Sequence, residues 1–429
     1  MTPAPMNFLH LCAADHGGAG IAAWRMHDAL RALGHGSRML VLDRRTTDPD
    51  VVPLRSDDTR VFRLQRLAQK TWLKLSSRAD LYFQNQLLSP GLDMATLCRH
   101  NGLQPDVIVV HVLSHFLSPG DVLALQQATR ASVLWNLLDM ALMTGGCHYA
   151  WRCDGYLRAC GQCPALRFSG ANDLSSRIWA AKQQAMGQTR GWVVAGSSLL
   201  ARQAAASSLL GQRRIETLLL GVSPQAFAPG DAPTLRQELG VGGAERVVFF
   251  GAQKFNQRRK GMRPLMESLL HLANNWPSGT ALPVLLSAGN AENFAPLRAR
   301  GFRLVELGFV NGATLAKAYS AADLFACPSL EDSGPMMINE SMMSGTPVVA
   351  YRMGVAPDLI DDGVNGVIAE LGNVAAFADG LRRVLLWDAH QRKTARAHCR
   401  TIALEKCSPD IQLRRFVQIA QALRADDGV

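Results

Sequence analysis

Apolar residues in this chain fall into short continuous runs that alternate with segments of helical period. NFLHLCA (7–13) is such a run, followed by the glycine-rich turn DHGGAG (15–20). In IAAWRMHDALRALG (21–34) apolar positions recur at helical spacing, and Gly34 stops the pattern as a C′ glycine. SRMLVLDR (37–44), PDVIVVHVL (105–113), ASVLWNLL (131–138) and GWVVAGS (191–197) predict further strands, with a helix over 121–130. A second series starts at ERVVFFGA (245–252) and continues through ALPVLLSAG (281–289), FRLVELGFV (302–310), ADLFACPS (322–329) and TPVVAY (346–351). Runs that are apolar throughout suit strands covered on both faces, and their alternation with helices predicts doubly wound parallel sheets, an α/β fold. GVSPQAFAPGDAP (221–233), rich in Gly and Pro, reads as a linker. Two Rossmann-like domains follow, 1–222 and 223–404, expected to face each other across a cleft. Ligands of such folds bind beyond the carboxyl ends of the strands.

Composition narrows the partners. With 48% apolar and 19% charged residues, 429 residues have ample material for two cores. No apolar stretch reaches the roughly 18 residues of a membrane span. The first residues lack a basic segment followed by a long apolar one, so no signal peptide is predicted and a cytoplasmic location is expected. The net charge of +10 favours anionic partners. Its densest cluster, RRKGMR (258–263), is too short to argue for nucleic acid. The basic segment RVFRLQRLAQKTWLKLSSR (60–78) reads either as a solvated surface helix or as a face leaning on acidic membrane or a lipid-linked ligand.

The chemistry concentrates in PSLEDSGPMMINESMMSGTPVVA (328–350). A helix over Met336–Met343 is predicted, with Pro335 at or near its first position and Gly345 just past its end. Its unpaired N–H groups, about Gly334, Met336 and Met337, would form an anion site at a strand's carboxyl end. Glu340, one turn in, can accept from a ribose diol, and Asp332 from a second hydroxyl-rich group. The plainer reading makes Asp332 or Ser333 the helix cap and Glu340 a solvated residue. Arg259 and Lys260 follow the first strand of the second series and suit a diphosphate. Gly17 and Gly18 allow close backbone approach at a helix start, though DHGGAG lacks the G-x-G-x-x-G spacing.

Together these segments resemble the family-4 retaining glycosyltransferases of the GT-B fold, in particular bacterial members that build exopolysaccharide, colanic-acid-like or capsule chains. That family holds its donor with an acidic residue, seven intervening residues and a Glu; Asp332 and Glu340 have this spacing, with Asp in the first place. The resemblance implies Glu340 on the donor ribose and Asp332 on the donor sugar. It implies Lys260 with Arg259 on the diphosphate and Gly17 and Gly18 beside the phosphates. Gly308, Phe309 and Val310 correspond to the loop whose backbone faces the nucleobase. It also implies a retaining transfer without catalytic metal, from a nucleoside-diphosphate sugar to a glycan or polyprenyl-linked acceptor, and a C-terminal helix (405–429) that packs back on the first domain. Two departures stand out. Ala252 and Gln253 occupy a loop where relatives carry Arg, and Leu138 stands where relatives carry His before Asp139. His111 and Asp139 remain candidates for the acceptor side, His111 equally a hydrogen-bonded structural residue.

Nine cysteines are present, four of them in TGGCHYAWRCDGYLRACGQCP (144–164). Cys147, Cys153, Cys160 and Cys163 suit a closed structural zinc site, against disulfides, an iron–sulfur cluster or free buried thiols. The expected activity is glycosyl transfer in exopolysaccharide or capsule synthesis, with no nucleic-acid partner and with membrane contact at the inner face as an open question. The rivals are another nucleotide-sugar enzyme such as an epimerase, and a basic zinc-bearing nucleic-acid binder. No aromatic-interleaved basic stripe supports the latter.

Overall fold

The computed structural model describes residues 4–54, 60–78, 81–242, 245–290 and 293–428. The chain forms two compact units, one of residues 1–196, 200–218 and 413–429, the other of 197–199 and 219–412.

The first unit holds β1 (Asn7–Cys12), β2 (Gly36–Val41), β3 (Val51–Pro53), β4 (Val107–Val112), β5 (Ser132–Leu137), β6 (Gly191–Ala195) and β7 (Ile215–Thr217). They form one parallel sheet in the order β3-β2-β1-β4-β5-β6-β7. Leu9 of β1 lies opposite Arg38 of β2 and Ile108 of β4. Successive strand side chains point to opposite faces. Leu9 and Leu11 therefore join Ile108, Val110 and Trp135 in one core, while Phe8 joins Val107 and Leu134 in another. The helix Pro409–Asp426 closes that second layer with Phe416, Val417, Ala420 and Leu423. Burial on both faces is the physical reason the runs are apolar throughout.

The second unit holds β8 (Val247–Ala252), β9 (Val284–Gly289), β10 (Leu304–Glu306), β11 (Leu324–Cys327), β12 (Val348–Tyr351) and β13 (Gly366–Ala369), in the parallel order β10-β9-β8-β11-β12-β13. Phe249 and Phe250, adjacent in β8, enter opposite cores. The strand expected over 302–310 is cut to Leu304–Glu306. Gly308 takes a left-handed φ of +66°, and Phe309 turns into solvent. In each sheet the order reverses once, between β1 and β4 and between β8 and β11. At such switch points neighbouring loops part and leave a crevice at the strands' carboxyl ends.

Candidate functional site

The switch point of the second sheet carries the charged cluster. After β8, residues Arg258–Lys260 form a single 3₁₀ turn that ends at Gly261. After β11, the chain runs through Pro328 to Asp332. The two loops are joined by backbone: the N–H groups of Leu330 and Glu331 both donate to the carbonyl of Arg259. Gly261 makes this approach possible. Its φ is +68°, and a Cβ there would lie 1.8 Å from the carbonyl oxygen of Pro328. The result brings Lys260 Nζ to 2.6 Å and Arg259 Nη1 to 3.0 Å from Asp332 Oδ2. Burial alone would raise the Asp332 pKa, but Lys260 and Arg259 hold it below the usual carboxylate range. Its neighbour Glu331 is driven the other way. Burial first, then the Asp332 charge, push it up to about 7 against the pull of Arg259.

The helix Met336–Met343 has the bounds its flanking Pro and Gly predict, with Pro335 as its cap residue and no side-chain cap. Neither Asp332 nor Ser333 fills that role: Asp332 is committed to the two cations, and Ser333 gives its carbonyl to the Ser197 hydroxyl. Ile338 N–H donates to Pro335 O. Met337 Cε sits where a Cβ on Gly251 would come within 2.9 Å. Gly289, at the end of β9, donates its N–H to Gly308 O at 2.8 Å. The ends of β8 and β9, the Gly308–Phe309–Val310 loop and Met337 thus adjoin one another. Gly334 and Met336 stand at the same helix start. Glu340 is half-buried and accepts a hydrogen bond at 3.1 Å from the hydroxyl of Tyr319. Tyr319 is itself buried against Phe249 and Phe325. The sequence holds no signal for this Tyr–Glu contact, nor for the buried carboxyl of Glu331.

In the first unit, Gly17 and Gly18 open the helix Gly17–Ala32 directly after β1, and space for a Cβ is free at both. Gly17 has φ +73°, which favours glycine. Asp15, in the same turn, accepts from the N–H groups of Arg45 and Thr46 and so ties the turn to the loop after β2. His111 is buried. It lies inside the sheet, stacked on His10, with its ring nitrogens 2.9 Å from His10 Nδ1 and from Asn136 Nδ2. Burial lowers its pKa to about 3. Its place in β4, one residue before the strand ends, gives it the hydrogen-bonded structural setting that was the alternative to an acceptor-side role. Asp139 follows β5 and is taken up by Ala141 N–H at 2.7 Å and His148 Nδ1 at 2.6 Å.

Of the four clustered cysteines, Cys163, Cys160 and Cys153 all lie near Cys147. Among the described residues no three His, Cys, Asp or Glu side chains are grouped to hold one metal ion. Cys147 and Cys163 are hydrogen-bonded to each other, which holds the Cys163 thiol low. Cys160 Sγ accepts the Gly145 N–H at 3.1 Å and lies with Cys153 around Gly155. His148, adjacent in sequence, has turned to Asp139. All nine cysteines are free. Beneath this segment Lys182 is fully buried and donates to the carbonyls of Ala141 and Thr144. Burial pulls its pKa down to about 7, against the charges of Cys160, Cys147 and Asp139.

Residues 244–386, which contain the Arg259–Lys260–Asp332 cluster and Glu340, match the family described as Glycosyl transferases group 1. The D-inositol 3-phosphate glycosyltransferase of Saccharomonospora viridis is 32% identical over 183 residues, 40% of this chain and 42% of that protein. The Nocardia farcinica protein of the same name is 30% identical over 203 residues, 45% and 44% of the two chains. The chain thus spans less than half the length of the curated relatives it matches. Among solved structures, sucrose-phosphate synthase from Thermosynechococcus elongatus superposes with a TM-score of 0.68 at 16% identity, over 98% of this chain and 100% of that one. Anabaena Alr3699/HepE in complex with UDP and glucose gives 0.64 at 16% identity, over 97% and 100%. The chain has the α/β architecture of these neighbours, two parallel-sheet Rossmann-like domains in the GT-B fold.

Proposed function

We propose that the chain is a retaining glycosyltransferase that moves a sugar from a nucleoside-diphosphate donor to a glycan or lipid-linked acceptor. The observation that carries this reading is the pairing of Arg259 and Lys260 with Asp332 at the β8/β11 switch point, inside the segment that matches group 1 glycosyl transferases. When the sugar's C1–O bond to the β-phosphate breaks, negative charge collects on that phosphate. Lys260, Arg259 and the N–H groups at the start of Met336–Met343 are the donors that stabilise it. In this reading Asp332 keeps the two cations in place before donor arrives and then turns to the sugar hydroxyls. Glu340, aimed by Tyr319, takes the ribose diol, and the Gly308–Val310 backbone faces the base. The acceptor hydroxyl attacks C1 from the face the phosphate leaves, and the departing phosphate oxygen takes its proton. The cations of the reaction come from the protein, so no catalytic metal is invoked.

Exopolysaccharide or capsule assembly is the acceptor chemistry we favour, on the resemblance of residues 328–350. An inositol phosphate acceptor is the second reading, after the names of the curated relatives. The test is calorimetric binding of UDP, GDP and ADP to the wild-type chain and to Glu340→Ala. Base-selective binding that the substitution weakens about tenfold or more, with unchanged thermal stability, supports the donor site. No binding of any nucleotide by folded protein overturns it.

A further inference from the structure

The helix Arg60–Ser76 in the first unit has two apolar faces, and only one is used. Phe62 and Leu73 point inward and are buried, with Ser76 beside them. Arg66, half-buried on this inner face, pairs with Asp43 at 3.0 Å. The outer face carries Val61, Leu64, Leu67, Trp72 and Leu75, exposed by 68%, 68%, 63%, 45% and 69%. No other helix of the described residues carries more than one large apolar side chain this open. The positions are not scattered. Val61, Leu64, Ala68, Trp72 and Leu75 recur three and four apart, so they form one continuous stripe along the helix.

Charge borders the stripe on one side. Arg63, Lys70 and Lys74 are exposed and follow one another at seven and four residues, flanking Leu67. Residues 60–78 contain no Asp or Glu. Among the described residues, Asp43 on the loop after β2 is an acidic group that meets this helix; it pairs with Arg66 on the inner face and also feels the charge of Lys70. Beside the stripe lies an open groove of about 580 Å³, shared by Trp72 and Ala68 with Leu87, Leu88, Leu174 and Arg177. An apolar strip of this length in water is unfavourable, and a strip rimmed by cations matches a surface that is apolar below and anionic above.

We propose that the outer face of the helix Arg60–Ser76 docks the protein on an anionic phospholipid bilayer. Val61, Leu64, Leu67, Trp72 and Leu75 enter the boundary between headgroups and acyl chains. Arg63, Lys70 and Lys74 lie among the lipid phosphates, and the groove beside Trp72 extends the apolar contact. No helix among the described residues is long and apolar enough to cross a membrane, so the contact is peripheral. The inference goes beyond the donor-site reading and does not depend on it.

The test is co-sedimentation of the full chain with vesicles of phosphatidylcholine alone, and with vesicles containing about a third phosphatidylglycerol, at low and high salt. The expected result is binding to the anionic vesicles, weakened by salt, with little binding to the neutral ones. Leu64→Gln/Leu75→Gln and Lys70→Glu/Lys74→Glu should each reduce the partition by about tenfold or more. These side chains are exposed, so circular dichroism should remain unchanged in both variants. Binding that is equal for neutral and anionic vesicles, or that survives both double substitutions, would refute the proposal. So would concentration-dependent dimerisation without lipid that Leu64→Gln/Leu75→Gln abolishes, because the stripe would then be covered by a second copy of the chain.

Discussion

Glu331 offers the sharpest check on the charge arrangement at the β8/β11 switch point. The residue is 9% exposed, next to the ionised Asp332. Burial and that charge, opposed by Arg259, raise its pKa from 4.5 to about 7. At 1.36 kcal/mol per unit this shift is worth about 3 kcal/mol. The sign follows from proton counts. Between pH 4.5 and 7 the folded chain keeps a proton on Glu331 that the unfolded chain has lost, so stability falls as pH rises through this window and stays lower above it. Glu331→Gln keeps the shape and removes the titration. In guanidinium unfolding at pH 5, 6, 7 and 8, wild type and variant should be close at pH 5. At pH 8 the variant should be the more stable by up to about 3 kcal/mol. Parallel stability curves for the two proteins from pH 5 to 8 would show that Glu331 is not held in a buried site beside a charged Asp332, and the geometry of the cluster would be wrong.

Asp332→Asn should cost about 1–3 kcal/mol at neutral pH, because Arg259 and Lys260 lose their carboxylate while keeping partial access to water. The Asp332 pKa is depressed, so this difference is present above the ordinary value near 3.9 and should shrink as urea melts are taken to lower pH. Gly261→Ala should destabilise the chain by roughly 2 kcal/mol or more in thermal melts, since its Cβ would strike the Pro328 carbonyl and its φ of +68° is left-handed. The same substitution should weaken UDP binding by displacing Lys260.

Several features were legible in the residues alone because they are local. A strand buried on both faces has no polar alternation, so β1, β4, β5, β8 and β9 announced themselves as apolar runs. Pro335 and Gly345 bracket the helix Met336–Met343 because backbone geometry restricts each to its place. The short strands β3, β7 and β13, of three or four residues, are too brief to carry a period and escaped notice.

Contacts between distant residues belong to the tertiary structure. The spacing of Asp332 and Glu340 was visible. That Asp332 meets Lys260, 72 residues earlier, depends on β8 lying beside β11, and the hydrophobic pattern does not encode strand order. The same dependence buried Glu331, put Tyr319 on Glu340, and enclosed His111 between His10 and Asn136. It also set the thiols of Cys147 and Cys163 against each other and turned His148 to Asp139. The residues by themselves determined the longer buried strands and the helix Met336–Met343, and which side chains could carry charge to a phosphate. Only the packed fold decided which of those charges are paired, buried or open, because desolvation and Coulomb energy depend on neighbours that the chain brings together from far apart.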